Sequence, residues 1–456
     1  MMAKVWRMIF CCGFAMVLRT ETHAVDLHLA RFAAVKEKQI RESAETLTNK
    51  VPAIVWSFFD AVRVDDWETA TNLAERIQQA SGRYTNSVEN EVITPVLNTL
   101  IWPSINEMIG TYEQYHEWDN KWLHRFGNDI IDSIPEGSIY FGGTDPGRFI
   151  ISSLIEPRKD GKRFYVLTQN QLADRTYLDY LAKRYGKKIY IPGSEDSQQA
   201  FNEYIADAQR RLQHDTRFPN EPRQIKPGED VKIVENRVQV RGQVAVMSIN
   251  GLLTKIIFDK NPTNDFYVEE SFPLDWMYPY LSPHGLIFRL HDKPLSELSS
   301  ADVEKDQAYW RRLTGELIGN WLTNDTPIKE ICDFSDKVFL DKKLDGFKGD
   351  AGYVKSKDVQ KTFSKLRSSV AGLYAWRAKH AVDADEKMQL RNTADLAFRQ
   401  AFAICPYSPE AIYNYTMFPV KCKRADDAFL LVKTSLRLDP DNSQLRDLIK
   451  WIRAAQ

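Results

Sequence analysis

Ser138-Ile139-Tyr140-Phe141-Gly142-Gly143-Thr144-Asp145-Pro146-Gly147-Arg148-Phe149 is the stretch on which the fold turns. A short apolar run is halted by two glycines, and a helical stretch follows. Asp145 suits an N-cap and Pro146 the first helical position. The same order recurs downstream. Phe164-Tyr165-Val166-Leu167 reads as a strand, Thr176 to Tyr185 as a helix, Ile189-Tyr190-Ile191 as a strand and Asp196 to Leu212 as a helix. Strands alternating with helices of this length predict a parallel sheet with crossover helices, a domain of Rossmann or flavodoxin type over 129–300. Phe266-Tyr267-Val268 and Leu286-Ile287-Phe288 supply two further strands. Before them, beyond a loop marked by Pro219, Pro222 and Pro227, lies an insertion. It reads as a hairpin over Val231–Val240, turning at Glu235-Asn236, then an apolar helix around Val244–Phe258.

On either side the pattern is helical. Over 25–128, Val55, Phe58, Phe59 and Val62 fall at i, i+3, i+4 and i+7, and Trp67, Ala70, Ala74 and Ile77 form a second such face. Val64-Asp65-Asp66 supplies a turn and an N-cap between them, so the pair resembles a degenerate tetratricopeptide hairpin. Tyr112, Tyr115, Trp118 and Trp122 make an aromatic stripe whose ordinary use is core packing. Over 301–456, Tyr309, Leu313, Leu317 and Trp321 predict one long helix. Ala394, Phe398, Ala401 and Pro406 recur as Ala428, Val432, Ser435 and Pro440, each shifted by 34 residues. That is the tetratricopeptide period.

The chain has 456 residues, with 61 Lys+Arg against 62 Asp+Glu. Its formal net charge of −1 gives no basic footprint, which argues against a nucleic-acid partner. Lys4 and Arg7, the apolar run Met8–Leu18 and Thr22-His23-Ala24 form the pattern of a cleaved secretory signal over 1–24. No later apolar run is long enough to span a bilayer. Of five cysteines, Cys332, Cys405 and Cys422 remain beyond the signal, too few for a disulfide scaffold.

Four stretches carry a resemblance: Phe141–Phe149, Leu167-Thr168-Gln169-Asn170, Val268–Pro279 and Phe363-Ser364-Lys365-Leu366-Arg367-Ser368-Ser369. They resemble an exported bacterial family of unknown function. They are also similar to the soluble C-terminal part of multi-pass membrane proteins that resemble protein O-mannosyltransferases. The resemblance covers most of residues 100–440. It implies an envelope setting and a link to glycan transfer, and it hands over no catalytic residues.

Ligands of open parallel sheets sit beyond the carboxyl ends of the strands. The candidate ligand-binding residues there are Gly142, Gly143, Asp145, Arg148, Gln169, Asn170 and Glu269. Gly142 and Gly147 have P-loop spacing, but Arg148 and Phe149 replace the required Lys and Ser/Thr, and Asp145 would repel phosphate. The N–H groups of Gly142 and Gly143, with Arg148, could hold a carboxylate, phosphate or sugar hydroxyl. Otherwise Arg148 would pair with a carboxylate such as Glu269. Glu269 and Glu270, as strand neighbours, are expected on opposite faces and so not as an acid/base pair. His116 and His124 are too far apart in sequence to chelate together, and neither metal nor cofactor is expected.

These readings combine into an exported, periplasmic or extracellular protein of the bacterial envelope, in which repeat helices hold a protein partner without catalysis. The partner would belong to a glycan or glycoprotein pathway, with a sugar or glycan as a candidate ligand. The alternative is a glycosyltransferase-related enzyme or ligand sensor acting at the strand ends.

Overall fold

The computed structural model describes residues 26–83, 94–158, 164–235, 237–270 and 273–454. The expected signal segment, Asn236, and Ser271-Phe272 of the resembling stretch lie outside them. The chain opens with α1 (Leu27–Ala44), α2 (Ala53–Arg63), α3 (Trp67–Ser81), α4 (Trp102–Glu117) and α5 (Asn120–Ser133). There follow β1 (Ile139–Gly142), α6 (Asp145–Ile155), β2 (Tyr165–Thr168), α7 (Arg175–Tyr185) and α8 (Ser194–Arg217). Next come β3 (Asp230–Val234), β4 (Arg237–Arg241), α9 (Gln243–Lys260), β5 (Phe266–Glu269), β6 (Leu281–His284) and β7 (Ile287–Leu290). The last part is α10 (Ser300–Ile318), α11 (Ile328–Ser335), α12 (Lys357–His380), α13 (Ala384–Ile404), α14 (Pro409–Lys421), α15 (Ala425–Leu438) and α16 (Ser443–Ala454). Among the described residues the protein is thus mostly helical, with a small five-stranded sheet and a separate two-stranded one.

Two compact units divide the chain, each built from separated stretches. One comprises the residues up to Ile109 with Thr168–Thr263; the other comprises Gly110–Leu167 with Asn264–Gln456. The division passes through α4 and the end of β2.

In the first unit the apolar faces of α2 and α3 are buried as their spacing predicts: Val55, Phe58, Phe59, Val62, Ala70 and Ile77 are all solvent-free. Asp66 caps α3 through the Thr69 N–H, and Asp65 takes a positive φ in the turn. A buried polar cluster crosses this core. Lys36, fully enclosed, pairs with Glu107, and the Tyr180 hydroxyl bonds the same carboxylate at 2.8 Å. The hairpin forms, with Val231 opposite Val240 and Val234 opposite Arg237. Val231 and Val240 pack on Tyr204, Ala208 and Ala245 of α8 and α9. The strand expected at Ile189-Tyr190-Ile191 does not form. The Asn261 side chain accepts from the Tyr190 N–H at 2.7 Å and donates to its carbonyl at 3.1 Å, doing the work a ladder would have done.

The five-stranded sheet has the order β2-β1-β5-β7-β6. The expected parallel sheet is in fact mixed. β1 and β5 run parallel, Phe141 beside Val268, while β7 runs antiparallel to β5, with Phe288 opposite Val268. Gly285, at φ +64°, turns β6 directly into β7, and a tight hairpin forces antiparallel pairing between those two. The direction of β7 against β5 is set by how the distant segments meet. β1 and β5 are enclosed on both faces.

In the second unit α6 packs on β1, α10 on β6 and α12 on β7. α10 stops at Ile318, short of Trp321, because Gly319 at φ +90° leaves the helical region. The aromatic stripe is split over two helices, α4 ending before Trp118 and α5 starting at Asn120; Tyr112, Trp118 and Trp122 are buried. Ala394, Phe398 and Ala401 on α13 and Ala428, Val432 and Ser435 on α15 are buried at their 34-residue offset. The Ser435 hydroxyl donates to the Pro406 carbonyl at 2.7 Å, tying α15 to the loop that follows α13. Cys332, Cys405 and Cys422 are all free thiols. Among the described residues no helix is long and apolar enough to cross a membrane.

Candidate functional site at the strand ends

β1 ends at Gly142 and its parallel neighbour β5 at Glu269, so the turn entering α6 and the Glu269 carboxylate arrive at the same edge. Thr144 is the N-cap: its hydroxyl accepts from the Gly147 N–H at 3.1 Å. Asp145 and Pro146 therefore occupy the first helical turn, one position later than the sequence reading placed them. Threonine caps as aspartate does, since each offers one side-chain oxygen to an otherwise unpaired N–H.

The N–H groups that open α6 already hold an anion. Glu269, fully enclosed, accepts from the Thr144 N–H at 3.0 Å, the Thr144 hydroxyl at 2.7 Å and the Gly143 N–H at 3.3 Å. A helix N-terminus favours negative charge, and this chain provides it from within. Burial lifts Glu269 above the usual carboxylate range, while the Thr144 and Gly143 bonds and the Lys365 charge oppose that.

Glycine is required twice by this approach. A Cβ on Gly147 would stand 1.8 Å from Glu269 Oε2, and one on Gly143 would stand 2.0 Å from Glu270 Oε2. Both carboxylates thus close on one turn, against the expectation that they diverge. Glu269 is the last residue of β5, and Glu270 lies past the strand, where alternation no longer applies. The Tyr140 hydroxyl donates to the Gly147 carbonyl at 2.8 Å and fixes the turn from below.

Arg148 does not reach Glu269. Its Nε donates to Asp145 at 3.0 Å, an i,i+3 pair on α6. Gln169 and Asn170 belong to the first unit, in a single 3₁₀ turn. Asn250 holds that turn, donating to the Asn170 carbonyl at 3.0 Å and accepting from the Ala173 N–H at 2.6 Å.

Further carboxylates gather at the start of α6. Burial, then the charges of Glu117 and Asp145, push Glu113 up to about 7, with Arg148 opposing. Glu117, under burial and the charges of Asp358 and Asp145, rises to about 7 as well. Among the described residues no group of three or more His, Cys, Asp or Glu could hold a metal ion. Sequence reasoning passed over Thr144, Glu113 and Asn250. Only Thr144 carried a signal, a cap residue before Asp-Pro.

No family model, curated protein or solved structure matches this chain.

Proposed function

We propose that this chain is a non-catalytic binding or scaffolding protein, exported to the bacterial envelope, whose C-terminal helix pairs hold a protein partner in a glycan or glycoprotein pathway. The observation that carries the non-catalytic part is the Glu269 carboxylate bonded to Thr144 and Gly143. On this reading the sheet is an eroded Rossmann-like layout, and its anion nest serves the fold. α13 to α16 are read as tetratricopeptide helices. In support, three of the four positions 34 apart, Ala394/Ala428, Phe398/Val432 and Ala401/Ser435, are buried alike. Tyr413 on α14 and Trp451 on α16 remain exposed, as partner-facing aromatics would.

Two measurements test this. Thermal unfolding with inorganic phosphate, ADP and a uridine-diphosphate sugar is expected to show no shift; a shift that vanishes in Arg148→Ala would establish the enzyme or sensor reading instead. In the native host, photocrosslinkers at positions 413 and 451 should yield the same discrete adduct. Failure of both positions to yield one removes the repeat surface as a docking site.

A further inference from the structure

We propose that the first unit binds an amphipathic carboxylate, a medium-chain acyl acid, in a groove between α8 and α9. The groove has a volume of about 370 Å³ and is lined also by Ala173 and Arg175 at the start of α7. Pockets that hold small molecules begin at about 300 Å³. Helical spacing builds its two walls. Ser194, Ser197 and Phe201 stand at i, i+3 and i+7 of α8, and Val246, Ile249 and Leu253 at the same spacing on α9, so each set shares one face.

The groove is where α9 leaves apolar surface uncovered. Val244, Ala245, Val246, Met247, Leu252 and Leu253 place apolar side chains on every side of that helix. A helix of this kind needs cover all round. Ala245, Ile249 and Leu252 find it against Tyr204 and Ala208 of α8. Leu253 is solvent-free, but Val246 lines the groove and stays 47% exposed, and Phe201 across from it 42%. Both side chains offer hydrocarbon surface that a ligand tail would take from water.

Charge selects the head group. Among the described residues that line the groove, Arg175 carries the one charge. Its Nη2 pairs with Asp179 at 2.6 Å, an i,i+4 pair with both side chains about half exposed. A pair so exposed is worth little, and it leaves Nε and Nη1 to donate to a second carboxylate. The Ser194 hydroxyl adds a further donor. Ser194 and Phe201 lie about 10 Å apart along α8, so the polar and apolar parts of the lining are separated as head and tail are. A cationic head would meet Arg175. The groove lies wholly within the first unit and uses none of α13 to α16, so it goes beyond the repeat-surface reading and can fail separately from it.

The test is a saturation-transfer NMR titration of the full chain with hexanoate and octanoate, and with octanol and octylammonium as uncharged and cationic probes. Octanoate is expected to bind saturably, and about tenfold more tightly than hexanoate, as two further buried CH₂ groups require. Val246→Trp, made at an exposed position, should fill the groove and abolish binding while the chain melts as the parent does. Arg175→Met should weaken octanoate about tenfold and leave octanol unchanged. The proposal is overturned by no saturable binding of octanoate, by octanoate binding that survives Val246→Trp, or by octanol or octylammonium binding as tightly as octanoate.

Discussion

Glu269 takes both protons that Thr144 can offer, the N–H at 3.0 Å and the hydroxyl at 2.7 Å, at the mouth of α6. One residue ends a strand and the other caps a helix, 125 positions apart in the chain. The pair closes the place where a phosphate would sit in a nucleotide-binding fold. Removing the carboxylate would strand the Thr144 and Gly143 donors in a buried setting. Glu269→Ala is expected to cost about 3 kcal/mol in urea unfolding, and Glu269→Gln clearly less, since the amide oxygen still accepts. Equal losses in both variants would mean that the bonds are not what stabilises the turn.

Gly147→Ala would drive a methyl group into Glu269, at 1.8 Å from Oε2, with no exposed end to swing away. A loss of about 2–3 kcal/mol is expected in denaturant unfolding, as for an overpacked core. The loss should shrink in the double variant with Glu269→Ala, because the clash partner is shortened. Simple additivity would place the strain elsewhere.

Asp306 and Arg367 form an ion pair at 2.9 Å with both side chains fully enclosed. The Tyr374 hydroxyl also donates to Asp306, and Arg367 Nε donates to Gln400. Removing one partner leaves the other charge buried. Asp306→Ala or Arg367→Met alone is expected to cost about 3–5 kcal/mol, and the double variant less than the two losses combined. A double-mutant cycle in urea checks this.

The acidic group before α6 predicts a pH dependence. Glu113 faces Glu117 on its own helix, with Asp145 and Arg148 on α6; its carboxyl is raised from 4.5 to about 7. A raised carboxyl binds its proton more tightly in the folded state. Its stabilisation is complete below pH 4.5 and is lost as pH rises through about 7. Melting temperature should therefore fall across that window, by the equivalent of up to about 3 kcal/mol. The fall should flatten in Glu113→Gln. An unchanged slope in that variant would assign the titration to other groups.

Much of this protein could be read from residue order. Helical faces announce themselves because a period of 3.6 brings Val55, Phe58, Phe59 and Val62 to one side whatever they meet. The hairpin at Val231–Val240 was legible from strand-type residues on either side of a turn. Strand direction was not. A four-residue apolar run such as Ile287–Leu290 pairs either way; the glycine turn before it sets its pairing with β6, and its direction against β5 is set by how the distant segments meet.

The site divides along the same line. Gly142, Gly143, Asp145, Arg148 and Glu269 could be named as residues at strand ends, because strand ends follow from local pattern. That Glu269 fills the nest, leaving Arg148 to Asp145, and that Asn170 answers to Asn250 depend on groups far apart in sequence. Local periodicity determines which segments are helix or strand, because it reflects neighbours within a turn. Which polar groups satisfy one another in the interior is decided only when distant segments meet, because a buried donor takes whichever acceptor the packing brings within reach.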